Sequence, residues 1–192
     1  IKQGTIINAH SNSEFIISGE LIAQGTETHS IKFIPDIEGA PENYWQGIEL
    51  PEASATAEMN YVIIQNAEIN ASRKLTINNS ELVNTPLNLD SCSLYLDAST
   101  LDNSPILAGL YGIHMQSEMI SVQNSIISNS TTCSGIDITG YSCLYIYNNT
   151  IENNLSGITI WESGSGPINT VADNHIVDNT EYGLFIFHSD ID

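Results

Sequence analysis

The chain has 192 residues, of which 23 are Asp or Glu and 4 are Lys or Arg, so its formal net charge is -19 at pH 7. This charge balance excludes nucleic acid and anionic membrane surfaces as expected partners, because both need clustered basic residues that displace counterions. A disordered acidic tail is excluded too, since 41% of the residues are hydrophobic. No apolar run approaches the roughly 20 residues of a membrane-spanning helix, so we expect no membrane insertion by this segment.

Four short apolar phrases stand in the first third of the chain, which is otherwise weakly repetitive. They are GELIAQGT at 19–26, IKF at 31–33, YWQGIEL at 44–50 and YV at 61–62. In the third phrase Trp45 stands two residues before Gly47. We interpret Trp45 as a packing anchor rather than a sugar platform, since a buried aromatic ring contributes a large contact area.

The later part of the chain repeats with a fixed period. Triplets resembling Asn-x-Ile occur at 99–101, 124–126, 149–151 and 174–176, each 25 residues after the last, and we interpret 67–69 and 80–82 as earlier, less regular copies. Such a period predicts a repeat architecture. We predict that equivalent Asn amides form hydrogen-bonded ladders at the turns. The predicted ladder residues are Asn124, Asn149, Asn174, Asn129, Asn154 and Asn179.

Two further apolar runs accompany each triplet. The runs before it are 61–64, 75–77, 94–96, 120–122, 144–146 and 168–171, and those after it, often introduced by Gly, are 87–89, 112–115, 135–138, 157–160 and 183–186. Their period-2 alternation between Asn, Gly and Ser turns predicts strands. Three short strands cannot close a core alone, but equivalent strands stacked about 4.8 Å apart form parallel sheets around one core. We therefore predict an all-β fold: a parallel β-helix, or β-solenoid, forming one domain over 1–192, with about seven or eight coils of three strands.

The phrases of the first third resemble the opening coils of right-handed, single-stranded parallel β-helix proteins from bacterial surfaces and secretions. Those coils read G-x-L-x-A-x-G-T, then I-x-F, then W-x-G-I, and the later coils here are also similar to pectate-lyase-like enzymes. The resemblance covers nearly the whole chain. It implies a right-handed helix, a larger exported parent protein, and a secreted or cell-surface location. It implies no particular activity, because this fold hosts enzymes, adhesins and spacers.

One face of the predicted solenoid is the candidate ligand-binding surface. If the Gly-introduced strands form one sheet, their central residues point outward in a column. The predicted column is Glu49, Asn88, His114, Asp137, Thr159 and Phe185. In enzymes of the resembled fold, this sheet borders the substrate groove. Trp161 and Tyr182 could join Phe185 in an aromatic strip that stacks on a sugar or a neighbouring chain.

Catalytic chemistry is weakly supported on this column. A lyase needs a base and a positive group that stabilises enolate-like charge, yet no Lys or Arg falls in the column. A glycosidase needs two carboxylates about 5 to 9.5 Å apart, whereas the predicted neighbours of Asp137 are His114 and Thr159. His114 and Asp137 are the candidate acid–base pair if the chain is an enzyme.

Metal and thiol motifs are also weak. Calcium is a candidate ligand because the acids are hard oxygen donors, but the sequence contains no D-x-D-x-D-G loop and no GGxGxD array that would locate a site. We expect no other cofactor. Cys92, Cys133 and Cys143 match neither a CxxC site nor a disulfide scaffold, and their odd number leaves at least one thiol unpaired or bonded to another chain.

The sequence favours a non-catalytic extracellular β-solenoid module for surface display, adhesion or assembly. Its expected partners are polysaccharide or neighbouring protein subunits. Two alternatives stay open. One is a polysaccharide-active lyase, epimerase or hydrolase that uses the groove on the Gly-introduced sheet, and the other is a filament-forming structural subunit.

Overall fold

The chain is built of short strands, three to each coil. A computed structural model describes residues 1–51, 54–109, 118–140, 143–161 and 169–187. In chain order the strands are β1 (Ile6–Ala9), β2 (Glu14–Ile16), β3 (Glu20–Gln24), β4 (Ile31–Pro35), β5 (Gly47–Leu50), β6 (Thr56–Asn60), β7 (Val62–Gln65), β8 (Ile69–Ala71), β9 (Lys74–Asn78), β10 (Glu81–Val83), β11 (Leu87–Asp90), β12 (Ser93–Asp97), β13 (Thr100–Asp102), β14 (Ile106–Gly109), β15 (Met119–Gln123), β16 (Ile126–Ser128), β17 (Ser134–Thr139), β18 (Cys143–Tyr147), β19 (Thr150–Glu152), β20 (Ser156–Trp161), β21 (Asn169–Ala172), β22 (His175–Val177) and β23 (Leu184–Phe187).

Equivalent strands of successive coils pair in parallel and form three sheets. Sheet A has eight strands in the order β1-β4-β7-β10-β13-β16-β19-β22, sheet B has eight in the order β2-β5-β8-β11-β14-β17-β20-β23, and sheet C has seven in the order β3-β6-β9-β12-β15-β18-β21. Successive strands along the chain visit sheets A, B and C in turn. The predicted all-β parallel solenoid with three strands per coil is therefore confirmed, and sheet B is the Gly-introduced sheet.

Aliphatic side chains fill the interior because alternate strand residues point inward. On sheet B one inward stack consists of Ile48, Ile69, Leu87, Ile106, Ile136 and Ile158, which occupy equivalent positions in successive strands. None of these six side chains is exposed to solvent. Each coil adds one rung to such stacks, so a single coil has no core of its own and depends on its neighbours.

Two of the predicted strand assignments are wrong. Residues 62–65 form β7 in sheet A, where Ile64 pairs with Leu82, so this run is the first regular copy of the triplet strand. Residues 67–69 lead into β8 of sheet B instead of forming an earlier copy. The run 112–115 lies outside the described residues, and the sheet B strand of its coil is β14, because Ile106 pairs with both Leu87 and Ile136.

The Asn-rich turns consist of two consecutive residues with different roles. At the corners entering sheet A and sheet B, the first residue has a left-handed backbone, with φ of 55° at Asn148 and 56° at Asn153. Asn tolerates this conformation better than most residues. The second residue points its polar side chain inward; Asn149 and Asn154 occupy this position at the two corners. Asn is therefore abundant for two separate physical reasons.

The predicted ladders contain a one-residue error. Asn124 and Asn129 are the left-handed corner residues, and the inward positions of that coil belong to Ser125 and Ser130. Asn124 instead accepts a hydrogen bond from Asn148 Nδ2 at 2.8 Å, on the outside of the corner. The prediction was wrong because the Asn residues recur at a constant 25-residue spacing, whereas the coils differ in length. Residues that are 25 apart are therefore not always equivalent in the structure.

The other four predicted ladder residues bond directly across coils. The Asn149 amide donates to Asn174 Oδ1 at 2.9 Å and to Val122 O at 2.8 Å, while Asn149 Oδ1 accepts the backbone N–H of Ser125. At the second corner, Asn154 donates to Asn179 Oδ1 at 3.1 Å. These amides satisfy buried backbone groups that the turns leave without a strand partner.

Trp45 packs as the sequence predicted. Its side chain is buried, and its Nε1–H donates to Gln65 O in the next coil at 2.9 Å. Gly47, at the start of β5, has a φ of 98°, and a Cβ there would lie 1.9 Å from Glu68 O. Glycine is therefore required where the chain enters sheet B beside the following coil.

Replacing Asn149 tests the ladder. Asn149→Ala orphans the N–H of Ser125 and the carbonyl of Val122, and each buried orphan costs about 1–3 kcal/mol. We expect a clear fall in the urea midpoint of unfolding. Asn149→Ser should be milder, because Ser125 and Ser99 accept the equivalent N–H in earlier coils.

The matched control is Asn148→Gly, one residue earlier, where glycine adopts the left-handed backbone and a single exposed amide bond is lost. We expect it to cost about 1 kcal/mol or less. Equal destabilisation by Asn149→Ala and Asn148→Gly would contradict the separate roles of the two corner residues.

Candidate functional site

The outward face of sheet B carries a straight column of side chains. The strand register gives the order Ile16, Glu49, Asn70, Asn88, Leu107, Asp137, Thr159 and Phe185. The structure thus brings Glu49, Asp137, Thr159 and Phe185 onto one face. His114 lies outside the described residues, and Leu107 occupies the rung that was predicted for it. Asn70 is a member that the sequence reasoning missed.

A second outward column runs beside the first. Its residues are Asp90, Gly109, Thr139, Trp161 and Phe187. The first column from Glu49 to Asp137 and the second from Asp90 to Thr139 border an open groove of about 560 Å³. Its polar lining residues that belong to strands, which we call the polar strip, are Glu49, Asn70, Asn88, Asp90, Asp137 and Thr139.

Amides organise the first part of the polar strip. Asn88 Nδ2 donates to Asn70 Oδ1 at 2.8 Å and to Glu68 Oε2 at 3.2 Å. This bridge fixes the Asn88 side chain along the solenoid axis. The strip therefore presents a fixed row of amide and carboxylate oxygens, which suits a ligand with several hydroxyl or amine donors.

The strip ends in four aromatic rings, which we call the aromatic cluster. Trp161 lies 5.1 Å from Phe185 and 5.3 Å from Phe187, and Tyr182 lies 5.4 Å from Phe185, measured between ring centroids. These separations are typical of tilted aromatic pairs. Trp161, Tyr182 and Phe187 all remain exposed, so the cluster leaves ring surface available for a ligand.

A cleft of about 460 Å³ lies where the polar strip meets the aromatic cluster. Trp161, Tyr182 and Phe185 line one part of it, and Asp137 and Glu181 also line it. The hydroxyls of Ser134 and Thr159 are hydrogen bonded to each other at 2.8 Å in its wall. The cleft thus combines aromatic rings, hydroxyls and two carboxyl groups in one space.

Asp137 is the partly buried acid of this cleft. Burial raises the pKa of its carboxyl above the ordinary value, because desolvation disfavours the charged form. Among the described residues its side chain makes no hydrogen bond or ion pair. Burial also raises the pKa of the neighbouring Cys133 thiol, and the charge of Asp137 adds to that effect. The described lining of the cleft therefore carries negative charge without a compensating Lys, Arg or His.

Thiols and cations give no further site on this face. None of the three cysteines, all of which lie in described ranges, forms a disulfide, and burial raises the pKa of Cys92 to about 12. Lys74 belongs to sheet C, where its Nζ lies 5.4 Å from the centroid of the Tyr95 ring.

Within the described ranges, no group of three or more His, Cys, Asp or Glu side chains is placed so that it could hold a metal ion. The described part of the chain contains no helix long and apolar enough to cross a membrane.

The sequence contains local repeats that identify β14 and the strand of Asn70. Ser-Pro-Ile at 104–106 repeats Thr-Pro-Leu at 85–87, and this match places β14 correctly. Likewise Ile-Asn-Ala at 69–71 repeats the Leu-Asn-Leu pattern of 87–89. The cleft residues Cys133, Ser134 and Glu181 come from turns and strand ends, where neither alternation nor a motif marks them.

Coils of three strands that stack into parallel sheets define a β-solenoid protein. The family model described as the right-handed beta helix region matches residues 43–191. The chain therefore belongs to the right-handed β-helix family, and its coils wind in the right-handed sense. No curated protein and no solved structure matches the chain significantly.

The raised pKa of Asp137 predicts a pH-dependent stability. The folded chain binds the Asp137 proton more tightly than the unfolded chain, so this group's contribution to stability decreases as the pH rises from its unfolded pKa, about 3.9, through its folded pKa. Asn mimics the protonated form. We expect Asp137→Asn to have a urea midpoint at pH 7 that equals or exceeds the wild-type value, with the wild type gaining on the variant as the pH falls.

Glu81→Gln controls for the change in net charge, because Glu81 is an exposed residue of sheet A. A variant Asp137→Asn that is less stable than wild type at pH 7 would show that a contact stabilises the charged carboxylate, contrary to the desolvation argument.

Proposed function

We propose that the chain is a non-catalytic display module whose sheet B face binds carbohydrate. The observation that carries this proposal is the continuity of the polar strip with the aromatic cluster on a single straight face. Glycan sites commonly need ring surface for stacking together with oriented polar groups for the sugar hydroxyls. An extracellular location is part of the proposal, and the resemblance of the opening coils to exported β-helix proteins supports it.

The dimensions of the face support a linear glycan lying along the solenoid axis. Adjacent rungs are about 4.8 Å apart, which is close to the length of one pyranose ring. Successive sugars would therefore meet equivalent positions of successive coils. The groove is open along this face rather than closed around a single small molecule, which suits attachment to a chain.

The charge of the chain narrows the class of glycan. A net charge of -19 and the carboxylates of Glu49, Asp90 and Asp137 on the strip repel polyuronates and sulfated glycans. Carboxylate and amide oxygens instead accept hydrogen bonds from neutral sugars. Neutral or amine-bearing glycans are therefore the proposed ligands.

Trp161→Ala tests the proposal. On an array of neutral, amine-bearing and anionic glycans, we expect the wild type to bind members of the first two groups. For a bound glycan, calorimetry should show affinity at least about tenfold weaker for Trp161→Ala, since tenfold corresponds to 1.4 kcal/mol and a stacked ring contributes more.

The matched control is Tyr95→Ala. Tyr95 is an aromatic residue of sheet C that is 38% exposed, against 39% for Trp161. Its removal should leave the affinity within about twofold of wild type, with unchanged circular dichroism for both variants. The proposal is wrong if no glycan binds, if anionic glycans bind best, or if the two variants lose affinity equally.

A second candidate, a polysaccharide-active enzyme, is favoured by the raised pKa of Asp137 and by the presence of Glu181 in the same cleft. One protonated and one ionised carboxyl group form the usual pair of a glycosidase. Incubation of the purified chain with a polysaccharide panel tests it. Cleavage that is abolished in both Asp137→Asn and Glu181→Gln would replace the non-catalytic proposal.

A further inference from the structure

The cleft between the polar strip and the aromatic cluster differs from the rest of the face in its burial and its charge. Asp137 is partly buried there and lacks a hydrogen-bonded or ionic partner among the described residues. Lys, Arg and His are absent from the described lining of the cleft. A desolvated carboxylate without compensation destabilises its site, so a ligand that brings a positive charge gains more here than on the open strip.

The aromatic rings around this carboxyl group point to the same kind of ligand. Trp161, Tyr182 and Phe185 line the cleft together with Asp137 and Glu181. Cations are attracted to the faces of aromatic rings within about 6 Å of the centroid. The apolar face of a pyranose also stacks on such rings. A ligand that combines an ammonium group with a sugar ring would use both properties of the cleft.

We propose that this cleft binds an amino sugar, with its protonated amine at Asp137 and its pyranose face against Trp161 and Phe185. The inference rests on the proposed carbohydrate-binding function and names the sugar class for one position on the face. Glu181 lies on the same cleft and adds negative charge at its rim. The paired hydroxyls of Ser134 and Thr159 remain available to ring hydroxyls, since each oxygen can form further hydrogen bonds.

The size of the cleft agrees with that of a small-ligand site. Its volume of about 460 Å³ lies within the range of about 300 to 1,000 Å³ that is typical of small-ligand sites. The groove of the polar strip also reaches Asp137, so the two spaces meet at this residue. An amino sugar in the cleft can therefore continue into a longer glycan along the strip.

The test compares two disaccharides that differ in the charge on the amine. The probes are the β-1,4-linked glucosamine disaccharide and its di-N-acetylated counterpart. Titration calorimetry is done at an ionic strength of about 0.15 M, where the Debye length is about 8 Å, so that distant acids contribute little. We expect the amine form to bind at least about tenfold more tightly than the acetylated form, because a charge-assisted hydrogen bond is lost on acetylation.

Asp137→Asn and Glu81→Gln are matched variants for this comparison. Each removes one negative charge and keeps nearly the same shape, but Glu81 lies on sheet A, away from the cleft. Asp137→Asn should abolish the preference for the amine and leave binding of the acetylated probe nearly unchanged. Glu81→Gln should behave as the wild type. Equal loss in the two variants would mean general electrostatic attraction and would overturn the assignment.

Thiol labelling gives an independent readout in the wild-type chain. Cys133 lines the cleft, and Cys143 is a partly exposed cysteine at the start of β18 in sheet C. The amine probe should slow alkylation of Cys133 by a neutral reagent and leave Cys143 unaffected. Protection of neither thiol at a probe concentration that saturates the calorimetric signal would place the ligand outside the cleft.

The outcomes separate this inference from the function on which it rests. If Trp161→Ala weakens binding of neutral glycans while Asp137→Asn changes nothing, the carbohydrate-binding function stands and the amino-sugar assignment fails. If neither disaccharide binds and no other glycan binds, both fail. If the amine probe binds selectively through Asp137, both hold.

Discussion

The solenoid depends on the pairing of each strand with its equivalent in the next coil. A coil of three strands of three to six residues buries its aliphatic side chains only when neighbouring coils lie on both sides of it. Parallel pairing satisfies the strand backbone, but each corner interrupts it. The inward Ser and Asn side chains solve this problem, because Asn149 and Asn154 bond to backbone groups of the preceding coil at corners where β-pairing stops.

The same register creates the candidate site. Since side chains alternate across a strand, a slip of one residue would send the outward column of sheet B into the core and expose the aliphatic stack. The corners prevent such a slip by requiring a left-handed residue followed by an inward polar one, as in Asn148 and Asn149. The position of Asp137 next to Thr159 and Leu107 therefore depends on the corner of Asn129 and Ser130 that precedes its strand.

Sequence reasoning succeeded where the physical signal is repeated in every coil. Alternation of aliphatic residues predicted the three sheets, and the Trp-x-Gly phrase predicted the burial of Trp45. It failed where the coil length changes. The sheet B strand β14 was missed, because the chain between β14 and β15 is longer than the equivalent segments of most other coils. Asn124 was misplaced for the same reason, because a constant spacing cannot follow coils of different length.

The cleft was predicted only in part. Asp137, Thr159 and Phe185 follow the period of the outward column, and Trp161 and Tyr182 were expected beside Phe185, whereas Cys133, Ser134 and Glu181 lie in turns and strand ends that follow no period. Ser134 and Asp137 belong to β17, Thr159 and Trp161 to β20, and Phe185 to β23. Strand pairing alone brings them together.

Charge placement along sheet B links the composition of the chain to its proposed ligand. Like charges on adjacent rungs destabilise a sheet, and an acidic chain must therefore separate its carboxylates. In the central column, Asn70, Asn88 and Leu107 stand between Glu49 and Asp137. The result is a row of two neutral amides and a leucine between one carboxylate and another, with the second placed beside aromatic rings. A face of this kind repels anions along its whole length and offers its most desolvated negative charge at the aromatic end, where a cationic sugar would gain most from binding.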